Sequence, residues 1–311
     1  MSVDDVGGAV ARVPASTIIV VPYSDARFTH LETWLARVLP MVRDAAPTED
    51  VMVVVARQVG RPQRFNRGLV LTAAIWALGP FPDSQRLIFW DVDLIPASQR
   101  LVDAMVGSSP WPSAAVLWSS GWTRYENRRG TFCGGILGVL RSTYLASGGH
   151  PITIYGWGSE DDCLGYRLRK CAGVCRIAPA TAATGVRPPD DAVCDLEDFE
   201  TPADKLDHLR RHDAVAPDRR DRATSDRRAA DRNLSNLVYL RNMVQTGRAS
   251  VAVRPCDDYV LVDVAPTPTM SGWSSGIRPR LPHVAQRSAP CRSSCDRSVE
   301  NGPSMPRPWR L

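Results

Sequence analysis

Two short acidic blocks carry the chemistry that this chain could do. The first is Asp91-Val92-Asp93, directly after the apolar run RLIFW. In an extended strand, alternation would place both carboxylates on one face and Val92 on the other. Such an oxygen pair can bind a hard or borderline divalent ion, and a diphosphate could complete its shell. The plain alternative is two acids that only cap a strand end. The second block is IYGWGSEDD at 154–162, where Glu160, Asp161 and Asp162 follow Trp157 and its flanking glycines. Glycine permits close backbone approach or positive φ, and tryptophan offers an apolar face to a sugar ring. One carboxylate there could take a proton from an acceptor hydroxyl, while a neighbour holds the acceptor or the loop. Its plain alternative is three acids in a helix first turn, where the dipole favours negative charge. His212, with His208 four residues before it, could supply an imidazole to an ion held by Asp93, or could be a surface residue among arginines.

These residues need elements to position them. TIIVVPY at 17–23, VMVVVA at 51–56 and RLIFWDVDLIP at 86–96 read as buried strands. Between them, FTHLETWLARVLPMVRD reads as a helix that Pro40 ends or kinks, and NRGLVLTAAIWAL as a helix capped by Asn66. Strand and helix in alternation predict an α/β unit with a mostly parallel sheet, whose loops gather at one edge. AAVLW and FCGGILGVL add strand candidates, and a helix is expected over 160–172. The segment 238–264 reads as short strands and turns. Residues 1–16 are expected to be a flexible leader, 17–265 the catalytic domain, and 266–311 a disordered Pro/Ser/Arg-rich tail.

Composition narrows the class. The chain has 311 residues, 44% of them hydrophobic, so a sizeable core is expected. The net charge is +5, and lysine occurs only at Lys170 and Lys205. Mild positive charge suits an anionic ligand without indicating nucleic acid. The arginines of 210–232 alternate with aspartates, which weakens a nucleic-acid reading further, and none is expected as a partner. No apolar run long enough to span a membrane is present, and the first residues do not resemble a signal peptide. A soluble chain without a transmembrane segment is therefore expected, with the cytoplasm as one setting. The eight cysteines lack zinc-knuckle spacing and leave free thiols or one or two disulfides open. No dinucleotide G-x-G-x-x-G follows the first strand.

Taken in order, the motifs resemble the β-1,4-galactosyltransferase family, most of all its xylosylprotein branch. VPYSDAR at 21–27 resembles its early uridine motif, and QRFNRG at 63–68 its F-N-R block. WDVDLIP at 90–96 resembles its metal-binding strand end, TFCGGILGV at 131–139 its G-G strand, and YGWGSEDD at 155–162 its W-G-W-G-x-E-D-D. RHDAVAPDRRDR at 211–222 and NLSNLVYL at 233–240 resemble later blocks. The chain departs from the pattern in four places. Trp90 stands for histidine, Phe132 for tyrosine, Tyr155 for tryptophan, and Arg210 where the branch has its other histidine. The segment 186–207 resembles an insertion over the acceptor side.

The resemblance implies a GT-A glycosyltransferase fold, Mn²⁺, a UDP-galactose donor, a saccharide or glycoconjugate acceptor, and an inverting transfer. Pro22, Tyr23, Arg27, Phe65 and Arg67 would then line the uridine and ribose side, and Asp91 would contact the nucleotide sugar. Asp93 and His212 would hold the ion. Asp161 would be the general base, with Glu160 and Asp162 orienting substrate and Trp157 packing near the sugars. A donor with GalNAc or glucose, or an inactive carbohydrate-binding relative, are the alternatives.

Overall fold

The computed structural model describes residues 15–46, 50–60, 64–79, 82–121, 132–184, 193–197, 199, 202–211 and 218–266. All lie in the compact unit Met1–Ser275. The leader to residue 14, the tail beyond 266, His212, Cys291 and Cys295 lie outside the described residues.

The chain opens with β1 (Thr17–Ser24), a single 3₁₀ turn, α1 (Phe28–Ala45), β2 (Val51–Gln58), α2 (Arg67–Ala77) and β3 (Arg86–Trp90). Then follow β4 (Leu94–Pro96), α3 (Gln99–Val106), β5 (Ala115–Leu117), β6 (Ile136–Leu140), α4 (Arg141–Ser147) and α5 (Glu160–Ala172). The rest is β7 (Ala178–Pro179), α6 (Thr181–Thr184), β8 (Val193–Asp195), α7 (Pro202–Arg211), α8 (Arg219–Asp231), α9 (Asn236–Gln245), β9 (Ala249–Pro255) and β10 (Val260–Pro266).

The main sheet runs β7-β5-β6-β3-β1-β2-β10-β9. Its centre, β3-β1-β2-β10, is parallel, while β6 and β9 join antiparallel to their neighbours. Strand β1 shows why its sequence is continuously apolar. Ile18 and Val20 enter one core with α2 and α9, and Ile19 and Val21 enter the other with α1 and α3. Helices cover both faces, so both sides of the pleat must be greasy. The carboxyl ends of the parallel strands meet at one edge, where open α/β sheets build their sites.

Three expectations change. RLIFWDVDLIP is not one strand: β3 ends at Trp90, and Leu94 N donates back to Asp91 O at 3.1 Å across a tight turn. The Trp90 indole donates to Leu94 O at 2.9 Å and packs edge-on against Trp34 in the core. Asp91 and Asp93 therefore flank a turn and do not share a strand face. Pro40 does not end α1, because Leu39 and Val42 are buried and Val42 is fully so. Keeping such an apolar residue buried is worth about 1.5–3 kcal/mol, comparable with the roughly 3 kcal/mol cost of an interior proline. Residues 236–245 form helix α9, where Leu240 and Met243, one turn apart, are both buried.

Candidate active site

Arg67, the first residue of α2, lies at the centre of the strand-end edge. Asn66 fixes it there. The Asn66 side chain accepts from Leu69 N at 2.8 Å as a helix cap and donates to Ile152 O at 2.8 Å. Its own amide donates to Gln58 Oε1 at 2.7 Å, at the end of β2. One residue thus ties a helix start, a strand end and the loop that leads into IYGWGSEDD. Arg67 Nε donates to Asp91 Oδ1 at 2.7 Å, and Nη1 donates to Asp161 Oδ1 at 2.6 Å. Burial opposes the Arg67 charge, but Asp161, Asp91 and Glu160 outweigh it and raise its pKa. Burial pushes the Asp91 carboxyl up to about 6, against the pull of Arg67.

The acids begin α5, as the sequence reading expects. Before them, Gly156 N donates to Phe65 O at 2.8 Å, which joins the tryptophan loop to the F-N-R block. Ser159 enters the helix with φ 79°, a left-handed conformation that is uncommon outside glycine. Trp157 is 37% exposed, with the Arg219 guanidinium 5.9 Å from its ring centroid. Glu160 is only 7% exposed. Burial, reinforced by Asp161, pushes its carboxyl up to about 8. Asp162 is exposed. The G-G pair explains itself here: a Cβ on Gly134 would sit 2.4 Å from the Phe132 ring and 2.6 Å from Asp161 Oδ2, closer than atoms can pack. Asp91 N donates to Gly135 O at 3.1 Å, so the same strand also anchors the Asp91 turn.

Asp93 faces a different set of residues. It is 5% exposed and meets Arg27 Nη1 at 2.8 Å and Lys205 Nζ at 3.8 Å. Burial raises its pKa, but those two cations outweigh burial and hold the carboxyl below its ordinary range. Strand β8 pairs with β4, with Leu94 opposite Asp195, and Leu196 N donates to Asp93 O at 2.8 Å. Asp93, Asp195 and Glu197 thereby bring one carboxylate oxygen each within 4.8 Å of one another. Arg27 and Lys205 also pair with Glu197. Three hard oxygen donors in one small space fit a divalent ion such as Mn²⁺.

Tyr23 and Pro22 end β1 and are buried. Burial raises the Tyr23 pKa, and Arg57, opposite it on β2, counters that rise. Arg57 is held in turn by Asp263, with Nε to Oδ1 at 2.7 Å. Phe65 is half-buried against the core. The structure therefore gathers Phe65, Arg67, Asp91, Glu160 and Asp161 in one group, and puts Arg27 with Asp93 in a second. Asp195, Glu197, Lys205 and Arg57 were missed by the sequence reading. Their only sequence signals were the Asp-x-Glu spacing of 195–197 and the rarity of lysine.

A family profile described as the N-terminal domain of galactosyltransferase matches residues 119–186. The chain is 30% identical over 156 residues to β-1,4-galactosyltransferase 2 of Cricetulus griseus, covering 50% of this chain and 40% of that protein. It is 29% identical over 151 residues to a β-N-acetyl-D-glucosaminide β-1,4-N-acetylglucosaminyltransferase of Lymnaea stagnalis, covering 48% and 29%. These matches span less than half the length of those relatives. A Drosophila β-1,4-galactosyltransferase 7 variant, crystallised with manganese, UDP-Gal and xylobiose, superposes with a TM-score of 0.58 at 18% identity, over 81% of this chain and 94% of that one. The fold is therefore GT-A. Together with the ordered motifs, these matches make the chain similar to β-1,4-galactosyltransferases over about half its length, on a GT-A fold.

Proposed function

We propose that the unit over residues 17–265 transfers galactose from UDP-galactose to the 4-hydroxyl of an acceptor sugar, with inversion and with Mn²⁺. The observation that carries this reading is the join, through Arg67, between Asp161 at the start of α5 and Asp91 at the end of β3. It links the residue resembling the family base to the residue resembling its nucleotide-sugar contact. The Drosophila neighbour bound to UDP-Gal and xylobiose supports a galactose donor and an acceptor such as xylose.

In this reading Asp161 accepts the acceptor hydroxyl proton as that oxygen attacks the anomeric carbon. Arg67 holds the Asp161 carboxylate in place, and Gly134 leaves room for it. Trp157 covers the sugars, and its exposure leaves a face free for a ring. Tyr23 and Pro22 close the uridine side, with Arg57 beside them. Asp93, Asp195 and Glu197 are the described residues that would hold the ion, which when bound would stabilise negative charge on the departing diphosphate. His212, named from the sequence as a ligand, lies outside the described residues.

Phe132 favours a second reading of the donor. It lacks the hydroxyl of the family tyrosine, and one relative of this chain is an N-acetylglucosaminyltransferase. UDP-GalNAc and UDP-glucose stand as alternative donors, and that relative adds UDP-GlcNAc to the panel. A panel of donors against xylosides, glucosides and N-acetylglucosaminides, with and without Mn²⁺, tests both readings. Galactose transfer that stops when Mn²⁺ is chelated is the expected result. Absence of UDP release from every pair would leave a carbohydrate-binding relative.

A further inference from the structure

The exposed tryptophan ahead of α5 is bordered by positive charge. Trp157 is 37% exposed, and the guanidinium of Arg219, the first residue of α8, stands 5.9 Å from its ring centroid. That distance is just inside the reach of a cation–π contact, about 6 Å. The next loop residue shows the same approach from the backbone side. Gly158 has φ 101°, and a Cβ there would sit 2.8 Å from Arg219 Nη1. Glycine thus stands where the guanidinium lies against the chain.

The surroundings of Arg219 add charge to it and do not cancel it. Burial, then Arg210 near the end of α7, then Arg220 lower its pKa. Glu160 is the acid that acts on it, but that carboxyl is itself pushed up to about 8 and so carries little charge near neutral pH. Asp218, next in sequence, is paired with Arg222 at 2.9 Å. Arg210 has Asp207 at 3.3 Å, but both side chains are more than half exposed, so solvent screens that pair. Among the described residues no carboxylate forms an ion pair with Arg219 or Arg220.

An open aromatic face suits the apolar side of a sugar ring, and a guanidinium fork suits an oxyanion. Side by side they fit a sugar that carries a negative group on itself or on what it is attached to. We propose that the acceptor is anionic: Trp157 supports the sugar to be extended, and Arg219, with Arg220 and Arg210, binds a carboxylate, sulfate or phosphate attached to that acceptor. This rests on the reading of the protein as a sugar transferase and adds an acceptor class to it. The donor diphosphate is the other anion of the reaction, and the experiment separates the two.

The test compares acceptors that differ only in charge. The probes are 4-carboxyphenyl, 4-sulfophenyl and 4-phosphonophenyl xylosides, set against the neutral methyl ester of the first. The wild-type protein should use the anionic probes with a KM about fivefold lower and a similar kcat, the gain of a partly exposed ion pair. The preference should shrink as salt is raised, and the probe that gains most reports the kind of oxyanion. In Arg219→Gln, and in Arg220→Gln at an exposed position, the ratio of charged to neutral should fall towards one. Arg219→Lys keeps the charge without the fork and should keep part of the preference. Calorimetry of UDP with Mn²⁺ on the same variants reports the donor side. Loss of UDP affinity there would give these arginines to the diphosphate and overturn the proposal. Equal use of charged and neutral acceptors by an active wild type, or a preference that survives both glutamine variants, overturns it and leaves the transferase reading intact. Should the wild type transfer nothing, the 4-carboxyphenyl xyloside and its methyl ester are titrated directly by calorimetry. The acid must then bind more tightly, and lose that margin in Arg219→Gln. Equal binding, or none, overturns the proposal.

Discussion

At the scale of single residues, the acids of α5 do different things because their surroundings differ. Asp161 is tied to Arg67, whereas Glu160 is buried one position away. Asp161→Asn keeps the shape but cannot take a proton. It should retain UDP-sugar affinity and lose transfer by about 10²–10⁴-fold, the usual worth of a general base. Transfer at the wild-type rate would remove Asp161 from that role. Glu160 makes a separate prediction. Its folded carboxyl titrates near 8, well above the ordinary 4.5. Between those values the folded state holds a proton that the unfolded state has released, so stability falls as pH rises through that window. Glu160→Gln should flatten this slope and melt higher than wild type at pH 8 and above, as measured by thermal unfolding across pH. Gly134→Ala should fold and bind UDP, yet lose activity, because its new methyl runs into both the Phe132 ring and the Asp161 carboxylate and forces them to shift. A kcat near wild type would show that the carboxylate can move without cost.

At the scale of elements, α5 is useful only if it cannot rotate. Its buried Arg167 makes a bidentate pair with Asp226 of α8, Nε to Oδ2 at 2.8 Å and Nη2 to Oδ1 at 2.7 Å. Arg167 Nη1 also donates to Leu234 O at 2.9 Å, and Asn236 Nδ2 donates to Asp226 Oδ1 at 3.0 Å. Helices α5, α8 and α9 are thereby locked behind the acids that begin α5. Removing one member of such a pair strands a buried charge, at about 3–5 kcal/mol. Asp226→Ala should lower the unfolding free energy by that much in denaturant titration. The paired replacement Arg167→Met with Asp226→Leu should recover a good part of it. If Asp226→Ala costs under about 1 kcal/mol, the surface range for ion pairs, the lock is not what holds α5.

At the scale of the whole molecule, the candidate metal-binding group is a product of long-range assembly. Asp93 and Asp195 lie far apart in the chain, and β4–β8 pairing brings them together. Arg27 and Lys205 pair with Asp93 and Glu197 and offset two of the three negative charges. Mn²⁺ binding should therefore raise the melting temperature, by mass action worth about 2.7 kcal/mol at a hundredfold excess over Kd. Asp195→Asn should weaken Mn²⁺ affinity about tenfold or more, read by paramagnetic resonance of the free ion. Unchanged affinity would return the second ligand to residues beyond this cluster. No described helix is long and apolar enough to cross a membrane. All six described cysteines are free thiols.

The parts of this protein that local physics controls were legible in the amino-acid order. The apolar runs of β1 and β2, the Asn66 cap and the start of α5 at Glu160 all depend on neighbours within a few residues. The motif sequence also pointed to the GT-A fold, because family motifs keep their order along a chain. Other features were not legible because burial far along the chain decided them. Val42 in the core carried α1 past Pro40, Leu240 and Met243 made α9 a helix, and the Trp90 indole closed a turn inside a run that reads as strand. Above all, charge pairing was invisible in one dimension. Only the folded molecule places Arg67 between Asp91 and Asp161, and Asp195 beside Asp93. Those contacts join strand ends and helix starts that only sheet assembly brings to one edge.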